Sequence, residues 1–321
     1  MSDSPYISFI VVGRNDNYGE HFLDRFSLFV NNLVYLCERY RLPNEICIVE
    51  WNPPTDTKRL QEALAWPQIR RENTEIKIVE IPAKLHAELS YVYRRPMYEY
   101  IGKNVGLRRS RGEFLLVTNP DTVMNDRLIE FFSKKMLAAD RFYRIDRCDV
   151  EVSFPFAYDQ LANKAFFENK ISSIFGRWAR TEIGRPLQAD FLKVYFKAFL
   201  RSLVVLPHRP PHTNAAGDFL LMPKANWLKL KGYPELEKQS NSHHIDSLMV
   251  YQAMFAGLKQ NILKKPLRLF HVNHGRFEQI KVASPEVKKA FRRLVWLRRP
   301  LLFNDDGWGL GKCYLPETII Q

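Results

Sequence analysis

The stretch Gly112-Glu113-Phe114-Leu115-Leu116-Val117-Thr118-Asn119-Pro120-Asp121-Thr122 decides the fold of this chain. Its unbroken apolar run, from Phe114 to Val117, is too short for a helix and lies between a glycine and a proline. Such a run is typical of a strand that is buried on both faces of a parallel sheet. The proline ends the strand because it cannot donate to a ladder. The sequence therefore predicts a central strand with Asn119 and Asp121 just past its carboxyl end.

Helical patterns flank this strand on both sides. Before it, Pro96 is placed like a first-turn proline, and apolar residues recur at near-helical spacing until Ser110-Arg111-Gly112. After it, Asn125 or Asp126 can cap a second helix. The apolar residues expected on one side of that helix are Leu128, Phe131, Phe132 and Met136. A helix, strand, turn and helix in this order indicate an open α/β sheet, in which ligands bind at the carboxyl edge.

The N-terminal part repeats the alternation. Apolar runs at 6–12, 45–50 and 76–81 predict three more strands, and helical spacing from Phe22 to Leu36 predicts a helix between the first two. Alternation of this kind indicates a parallel sheet with helices on both faces. No Gly-x-Gly-x-x-Gly motif occurs, which disfavours a dinucleotide-binding Rossmann domain.

Composition indicates an anionic partner. Lys and Arg outnumber Asp and Glu by 48 to 35 in 321 residues, for a formal net charge of +13. A nucleotide-sugar, an anionic membrane or a nucleic acid would suit that excess. The four scattered cysteines suggest neither a zinc site nor a disulfide framework, so we expect a reducing compartment. Without a signal-peptide pattern or a long apolar window, we expect a cytoplasmic protein that is soluble or peripherally membrane-associated.

The last third carries the candidate chemistry. Asp246 falls in the first turn of a helical pattern that ends at Gly257, where the helix dipole stabilises an ionised carboxylate suited to a general base. His271 and His274 follow the last predicted strand, 267–270, and could bind a metal. Imidazole beside carboxylate favours manganese over calcium. Each of these residues also has an ordinary structural explanation, as a helix cap or a buried histidine.

These motifs together resemble the core of the family 2 nucleotide-sugar glycosyltransferases of the GT-A fold. In that family an Asn-x-Gly helix, here Lys103-Asn104-Val105-Gly106-Leu107, leads to a Gly-Glu-aromatic strand that ends in an Asp-x-Asp or Asn-Pro-Asp metal motif. The Gly-Asp strand at 217–223 and the later Gly-Tyr-Pro-Glu resemble the family's second block. The resemblance implies an α/β, GT-A-like fold, with a central, mostly parallel sheet flanked by helices and a largely helical insert.

The resemblance also implies an enzyme and its site. Asp121 would bind a divalent metal, Mn²⁺ or Mg²⁺, on the diphosphate of a nucleotide-sugar donor, and one or both of His271 and His274 would complete the metal site. Asp246 would act as the base in an inverting transfer to a glycan or glycoconjugate acceptor, although His244 stands where the family often has Glu. The polar residues assigned to the donor are Arg14, Asn15, Asp16, Glu50, Asn52, Asn104, Asn119 and Asp218.

We expect four parts along the chain. Residues 1–140 would form the donor half, and 141–213 a basic, largely helical insert at the acceptor side or against a membrane. Residues 214–284 would form the catalytic and acceptor half of the same domain. The tail, 285–321, would consist of a basic helix and a mobile flap of glycines around Trp308.

Two rival functions stay open. A sugar nucleotidyltransferase would bind nucleotide and metal at the same edge of the sheet, although Gly13-Arg14-Asn15-Asp16 is a poor version of its glycine-rich loop. A non-catalytic protein of the same fold could use its basic surface for binding. Nucleic acid is not an expected partner, since charge alone supports it.

Overall fold

A mixed α/β architecture is built around two sheets. The computed structural model describes residues 4–89, 95–175, 211–236, 243–275 and 283–321. The strands of the described residues are β1 Ile7–Gly13, β2 Asn44–Trp51, β3 Thr74–Ile81, β4 Phe114–Thr118, β5 Thr122–Met124, β6 Arg141–Ile145, β7 Arg147–Val150, β8 Ile171–Phe175, β9 Phe219–Pro223, β10 Lys259–Leu263, β11 Leu269–Val272 and β12 Glu317–Ile320. The helices are α1 Phe22–Arg39, α2 Leu60–Ala63, α3 Ala83–Glu88, α4 Glu99–Arg109, α5 Asp126–Ser133, α6 Lys224–Leu230, α7 Ile245–Phe255 and α8 Pro285–Leu297.

The larger sheet confirms the predicted central, mostly parallel arrangement. Its eight strands run in the order β10-β6-β9-β4-β1-β2-β3-β12, and pairing is parallel through β4, β1, β2 and β3. Strand β9 is antiparallel to both its neighbours, and β12 pairs antiparallel to β3 at the edge. The predicted strand in the deciding stretch is therefore central, as expected, although one of its two partners is antiparallel.

Helices cover both faces of this sheet. Side chains of β1 alternate between two apolar clusters, with Ile7 and Phe9 facing α1 and α5, and Ile10 facing α4, α6 and α7. Helix α4 lies close to the sheet because Gly102 and Gly106 face it. A methyl group on Gly106 would lie 2.5 Å from Ile10 Cγ2. Burial on both faces explains why the strands read as continuous apolar runs.

A smaller sheet packs beside the carboxyl edge of the larger one. Its order is β5-β11-β7-β8, and only the β11–β7 pair is parallel. Strand β5 follows directly after the Asn119-Pro120-Asp121 turn, so this sheet begins where the central strand of the larger one ends. It contributes the side chains that surround that turn.

Part of the expected insert, 141–175 and 211–213, is described by the structure. This part contains β6, β7, β8 and two short 3₁₀ turns, Tyr158–Ala162 and Glu168–Lys170, and no α-helix. Strand β6 belongs to the central sheet, and β7 belongs to the smaller one. The apolar pattern of these strands is not visible in the sequence of 141–150, because arginines and aspartates take some of the buried positions and form ion pairs there. The rest of the expected insert, 176–210, lies outside the described residues.

Two expectations about side chains are also wrong. Met136 lies beyond α5 and is exposed, so it does not share the buried side of that helix. The segment around Trp308 is packed and not a free flap. Trp308 is buried, and Arg108 and Arg109 of α4 donate hydrogen bonds to its neighbouring backbone carbonyls. No helix among the described residues combines the length and the apolar character needed to cross a bilayer.

Candidate active site at the carboxyl edge of the central sheet

Asp121, His271 and His274 come together as the sequence predicts. One ligand atom from each lies within 4.8 Å of the others. The Nε2 atoms of His274 and His271 lie 3.0 and 3.5 Å from Asp121 Oδ2. Among the described residues, no other group of His, Cys, Asp and Glu side chains has this geometry.

Strand register brings these residues together. His271 on β11 is opposite Thr122 on β5 and opposite Asp149 on β7. Strand β11 therefore lies between Asp149 on one side and, on the other, the strand that Asp121 directly precedes. The backbone N–H of Val272 donates to the carbonyl of Asp121 at 2.9 Å. The position of Asp121 relative to His271 is therefore fixed by main-chain hydrogen bonds.

Both histidines are oriented through Nδ1. That atom lies 3.1 Å from Asp149 Oδ1 in His271 and 2.7 Å from the Gly275 carbonyl in His274. A carboxylate or carbonyl on Nδ1 holds the proton there and leaves Nε2 for a metal, as in many metal-binding histidines. A ring nitrogen lone pair that faces the Asp121 carboxylate needs a shared cation between them, either a proton or a metal.

The residues present fit a divalent transition metal. Burial would raise the pKa of Asp121, but His271 and His274 hold that pKa well below its usual range, so the carboxylate is charged. Its Oδ1 atom is buried and has no hydrogen-bond partner, which leaves it available as a ligand. Burial lowers the pKa of His271, but Asp121 and Asp149 outweigh it and raise that pKa to about 9. Two imidazoles with one carboxylate suit Mn²⁺ and other transition metals better than Mg²⁺, which prefers oxygen ligands.

Asn119 is held by a buried network and does not face the histidines. Its Oδ1 accepts from Lys103 Nζ at 2.9 Å, and its Nδ2 donates to Asp218 Oδ1 at 2.8 Å. An amide can do both at once. An aspartate at this position would place two carboxylates together, which explains physically why the chain has Asn where the double-aspartate motif has Asp.

Arg147 continues the network toward the histidines. It contacts Asp218 Oδ2 at 3.0 Å and Asp149 Oδ1 at 2.9 Å, and Asp149 contacts His271. Asp218 thus has both carboxylate oxygens engaged by protein groups, and it is buried. Sequence reasoning missed Lys103, Arg147 and Asp149. For Arg147 and Asp149 the signal was a charged residue at alternate positions of a short strand. Burial of such charges in a sheet is costly unless they pair.

Asp246 lies at the same edge of the sheet. It is in the first turn of α7, and its Oδ1 accepts from the N–H of Ser247 at 2.7 Å. A methyl group on Gly217 would lie 3.6 Å from Asp246 Oδ2, and the carbonyl of Gly217 accepts from Lys103. Dense packing raises the pKa of Asp246, partly offset by the Ser247 N–H and by nearby cations, although the side chain keeps some contact with solvent.

Three of the donor residues expected from the first two strands lie together. Arg14 donates to the carbonyl of Asn52 at 2.8 Å and to Asp16 Oδ2 at 2.7 Å. Asn15 instead turns into the following loop and donates to the carbonyl of Lys58. Farther along the loop after β1, the ring of Tyr18 meets His274 edge-on at 5.6 Å, so this loop reaches from Arg14 to the group of Asp121, His271 and His274.

Two of the expected donor residues are buried and bonded to backbone groups. Glu50 is 2% exposed, and its Oε1 accepts from the N–H of Leu60 at the start of α2. Asn104 is fully buried, and its side-chain amide accepts from the N–H of Tyr233 and donates to the carbonyl of Tyr233. Both side chains therefore hold neighbouring loops in place. Their oxygen and nitrogen atoms look the same in sequence whether they bind a ligand or a backbone.

His86, which sequence reasoning did not select, lies beyond the end of β3. Its Nδ1 accepts a hydrogen bond from Trp51 Nε1 at 3.0 Å, and an indole N–H can only donate. The neutral ring therefore carries its proton on Nε2. Burial, with a smaller effect from Arg14, lowers the pKa of His86, which favours this neutral form.

Comparisons with known proteins give little beyond this geometry. No family model matches the sequence, and no curated protein matches it. Among solved structures, the crystal structure of S. aureus TarS is 15% identical with a TM-score of 0.45 and covers 90% of this chain. A structure of S. aureus TarS 1–349 is 14% identical with the same TM-score, covering 95% of this chain and 68% of its own. The chain spans 38% of the length of the first, and likeness at this level carries no conclusion about activity.

The buried Glu50 carboxylate gives a pH-dependent prediction. Burial raises the pKa of Glu50 from 4.5 to about 7, so the folded state binds its proton more tightly than the unfolded state. The stabilisation that this protonated carboxyl group contributes is fully present below pH 4.5 and is lost as the pH rises through 7. Glu50→Gln keeps an acceptor for Leu60 but removes the titration. We expect the unfolding free energy of the variant relative to wild type to rise between pH 5 and pH 8 by on the order of 2 kcal/mol.

Urea unfolding at the two pH values measures this difference. Glu88→Gln, a change to an exposed glutamate at the end of α3, is the control and should show no such rise. An equal offset for Glu50→Gln at both pH values would contradict the assignment of a raised pKa to Glu50.

Proposed function

We propose that this protein is a metal-dependent glycosyltransferase that moves a sugar from a nucleotide-sugar to an acceptor hydroxyl with inversion. The observation that carries the proposal is the convergence of Asp121, His271 and His274 at the carboxyl edge of the central strand. Asp246 lies at the same edge, on the far side of the Asn119 network. A cation site and a separate carboxylate in one cleft are the two groups that such a transfer needs.

The cation would be held by Asp121 and by Nε2 of both histidines. When bound, it would supply Lewis-acid stabilisation of the charge that develops on the departing nucleoside diphosphate. Asp149 and the Gly275 carbonyl orient the two imidazoles for this task. Asn119 and Asp218, which were expected to bind the donor, would instead hold the metal-binding turn through Lys103 and Arg147.

Asp246 would accept the proton of the attacking hydroxyl. A general base works best when its pKa is near the working pH, and dense packing raises the pKa of Asp246 in that direction. With the leaving group at the metal, an acceptor activated by Asp246 would attack from the opposite face of the sugar. That geometry inverts the anomeric centre.

The nucleoside would lie against the loops after β1, β2 and β3. Arg14 donates there to the backbone carbonyl of Asn52 and to the Asp16 carboxylate. His86 adds a fixed N–H donor at Nε2, because Trp51 occupies its other nitrogen. A nucleobase with a carbonyl oxygen at this position would accept from His86, and the diphosphate would extend along the β1 loop toward His274.

The remaining expectations stay proposals. The acceptor would be a glycan or glycoconjugate, bound on the side of 141–213, and 214–284 would supply the base. We propose a cytoplasmic site of action.

The identity of the product separates the rival functions. A nucleotidyltransferase would release pyrophosphate or a nucleotide-sugar, whereas a glycosyltransferase releases a nucleoside diphosphate. A non-catalytic protein would release neither.

The metal assignment gives a binding prediction. Mn²⁺ should raise the melting temperature of the wild type, since a ligand that binds only the folded state adds about 2.7 kcal/mol at a hundred times its dissociation constant. Asp121→Asn should abolish this rise. It should also abolish the manganese-dependent release of nucleoside diphosphate, a slow hydrolysis that we expect of the wild type with a panel of nucleotide-sugars. Asp305→Asn, an exposed acidic control, should keep both. Retention of both effects by Asp121→Asn would refute the site.

The base assignment gives a kinetic prediction. Asp246→Asn should lower kcat for transfer by about 10²–10⁴-fold, the usual contribution of a general base. Binding of Mn²⁺ and of nucleoside diphosphate, measured by calorimetry, should change little, because Asp246 is not one of the proposed metal ligands. Transfer at wild-type rate with unchanged donor binding would show that another group takes the proton.

A further inference from the structure

The C-terminal helix α8 has one packed face and one exposed cationic face. Val287, Ala290 and Leu294 are buried and face α7. The sequence 285–299 contains six basic residues and one acidic residue. The exposed residues of this segment are Pro285, Lys288, Lys289, Arg292, Arg293, Trp296, Arg298 and Arg299.

Trp296 lies at the centre of that exposed face. At about 100° per residue, it projects opposite the direction of Val287, with Lys289 and Arg292 on either side of it. Its side chain is 81% exposed, although Trp is among the residues most enriched in buried and interfacial positions. Leu302, which follows the end of the helix by five residues, is also exposed, at 63%.

Intramolecular pairing does not account for the charges. Lys288, Lys289, Arg292 and Arg293 form no ion pair within the part of the chain that the structure describes. Like charges this close repel one another in the free protein, and an anionic partner would relieve that cost. A folded core needs no such face, since the opposite side of α8 already packs on α7.

We infer that the exposed face of α8 binds the surface of an anionic lipid bilayer. Trp is the side chain most suited to the boundary between headgroups and acyl chains, and basic residues beside it would contact anionic headgroups. Leu302 favours lipid over nucleic acid, because an aliphatic side chain gains by insertion into acyl chains but cannot stack on a base. This surface is separate from the proposed catalytic site, so the two can be tested independently.

Vesicle sedimentation of the full chain tests the inference. The protein should bind vesicles with 30 mol% phosphatidylglycerol, fail to bind pure phosphatidylcholine, and lose binding as salt rises, because exposed charges are screened. Trp296→Ala and Arg292→Glu/Arg293→Glu should each weaken binding at least tenfold. All these side chains are exposed, so melting temperature and donor hydrolysis should be unchanged.

Matched controls replace equally exposed groups elsewhere. Tyr314→Ala removes an aromatic ring that is 93% exposed, and Lys265→Glu/Lys229→Glu makes the same charge change on other surfaces. Both controls should bind like the wild type. No binding to anionic vesicles, or equal loss in the controls, would overturn the inference. Binding of single-stranded nucleic acid through the same residues, without vesicle binding, would also overturn it.

Discussion

The buried ammonium group of Lys103 is the interaction on which the rest of the site depends. Its residue is fully buried, and an uncompensated charge in that position would cost many kcal/mol. Glu99 on the same helix, Asn119 Oδ1 and the Gly217 carbonyl provide the compensation. One side chain thus ties helix α4, the end of β4 and the approach to β9 together. The Asn119-Pro120-Asp121 turn and Gly217, which lies beside Asp246, share this anchor.

From that anchor, alternating charges run to the histidines. Asn119 contacts Asp218, and the chain of contacts continues through Arg147, Asp149 and His271. Each side chain lies within hydrogen-bond or ion-pair distance of the next. Removing one member of such a chain leaves a buried charge without its partner, which is far more costly than breaking a surface pair. The Asn119-Pro120-Asp121 turn is therefore held in place by the protein's own groups. Asp121 contacts His271 at one end of the chain of contacts, and Asp246 lies beside Gly217, whose carbonyl accepts from Lys103 at the other end.

Patterns in the sequence predicted the parallel core and much of the site because those features are local. A short apolar run before Pro120 identifies the central strand, and a first-turn Asp246 identifies the start of α7. The smaller sheet could not be predicted in the same way, since β7 consists of Arg147, Cys148, Asp149 and Val150, and its charges read as loop until their partners are known. The hydrogen bond of Glu50 could not be predicted for a related reason: its carboxylate accepts from the N–H of Leu60, which only the folded chain brings to it.

Anomalous diffraction from a crystal soaked with Mn²⁺ and a nucleoside diphosphate is the most direct test of this account. We expect one manganese peak bounded by Asp121, by Nε2 of His271 and by Nε2 of His274. The diphosphate should lie on the open side of the ion and the base beside His86. A manganese ion bound elsewhere, or a nucleotide bound away from the carboxyl edge of β1 and β4, would contradict the claim that these residues form a single transfer site.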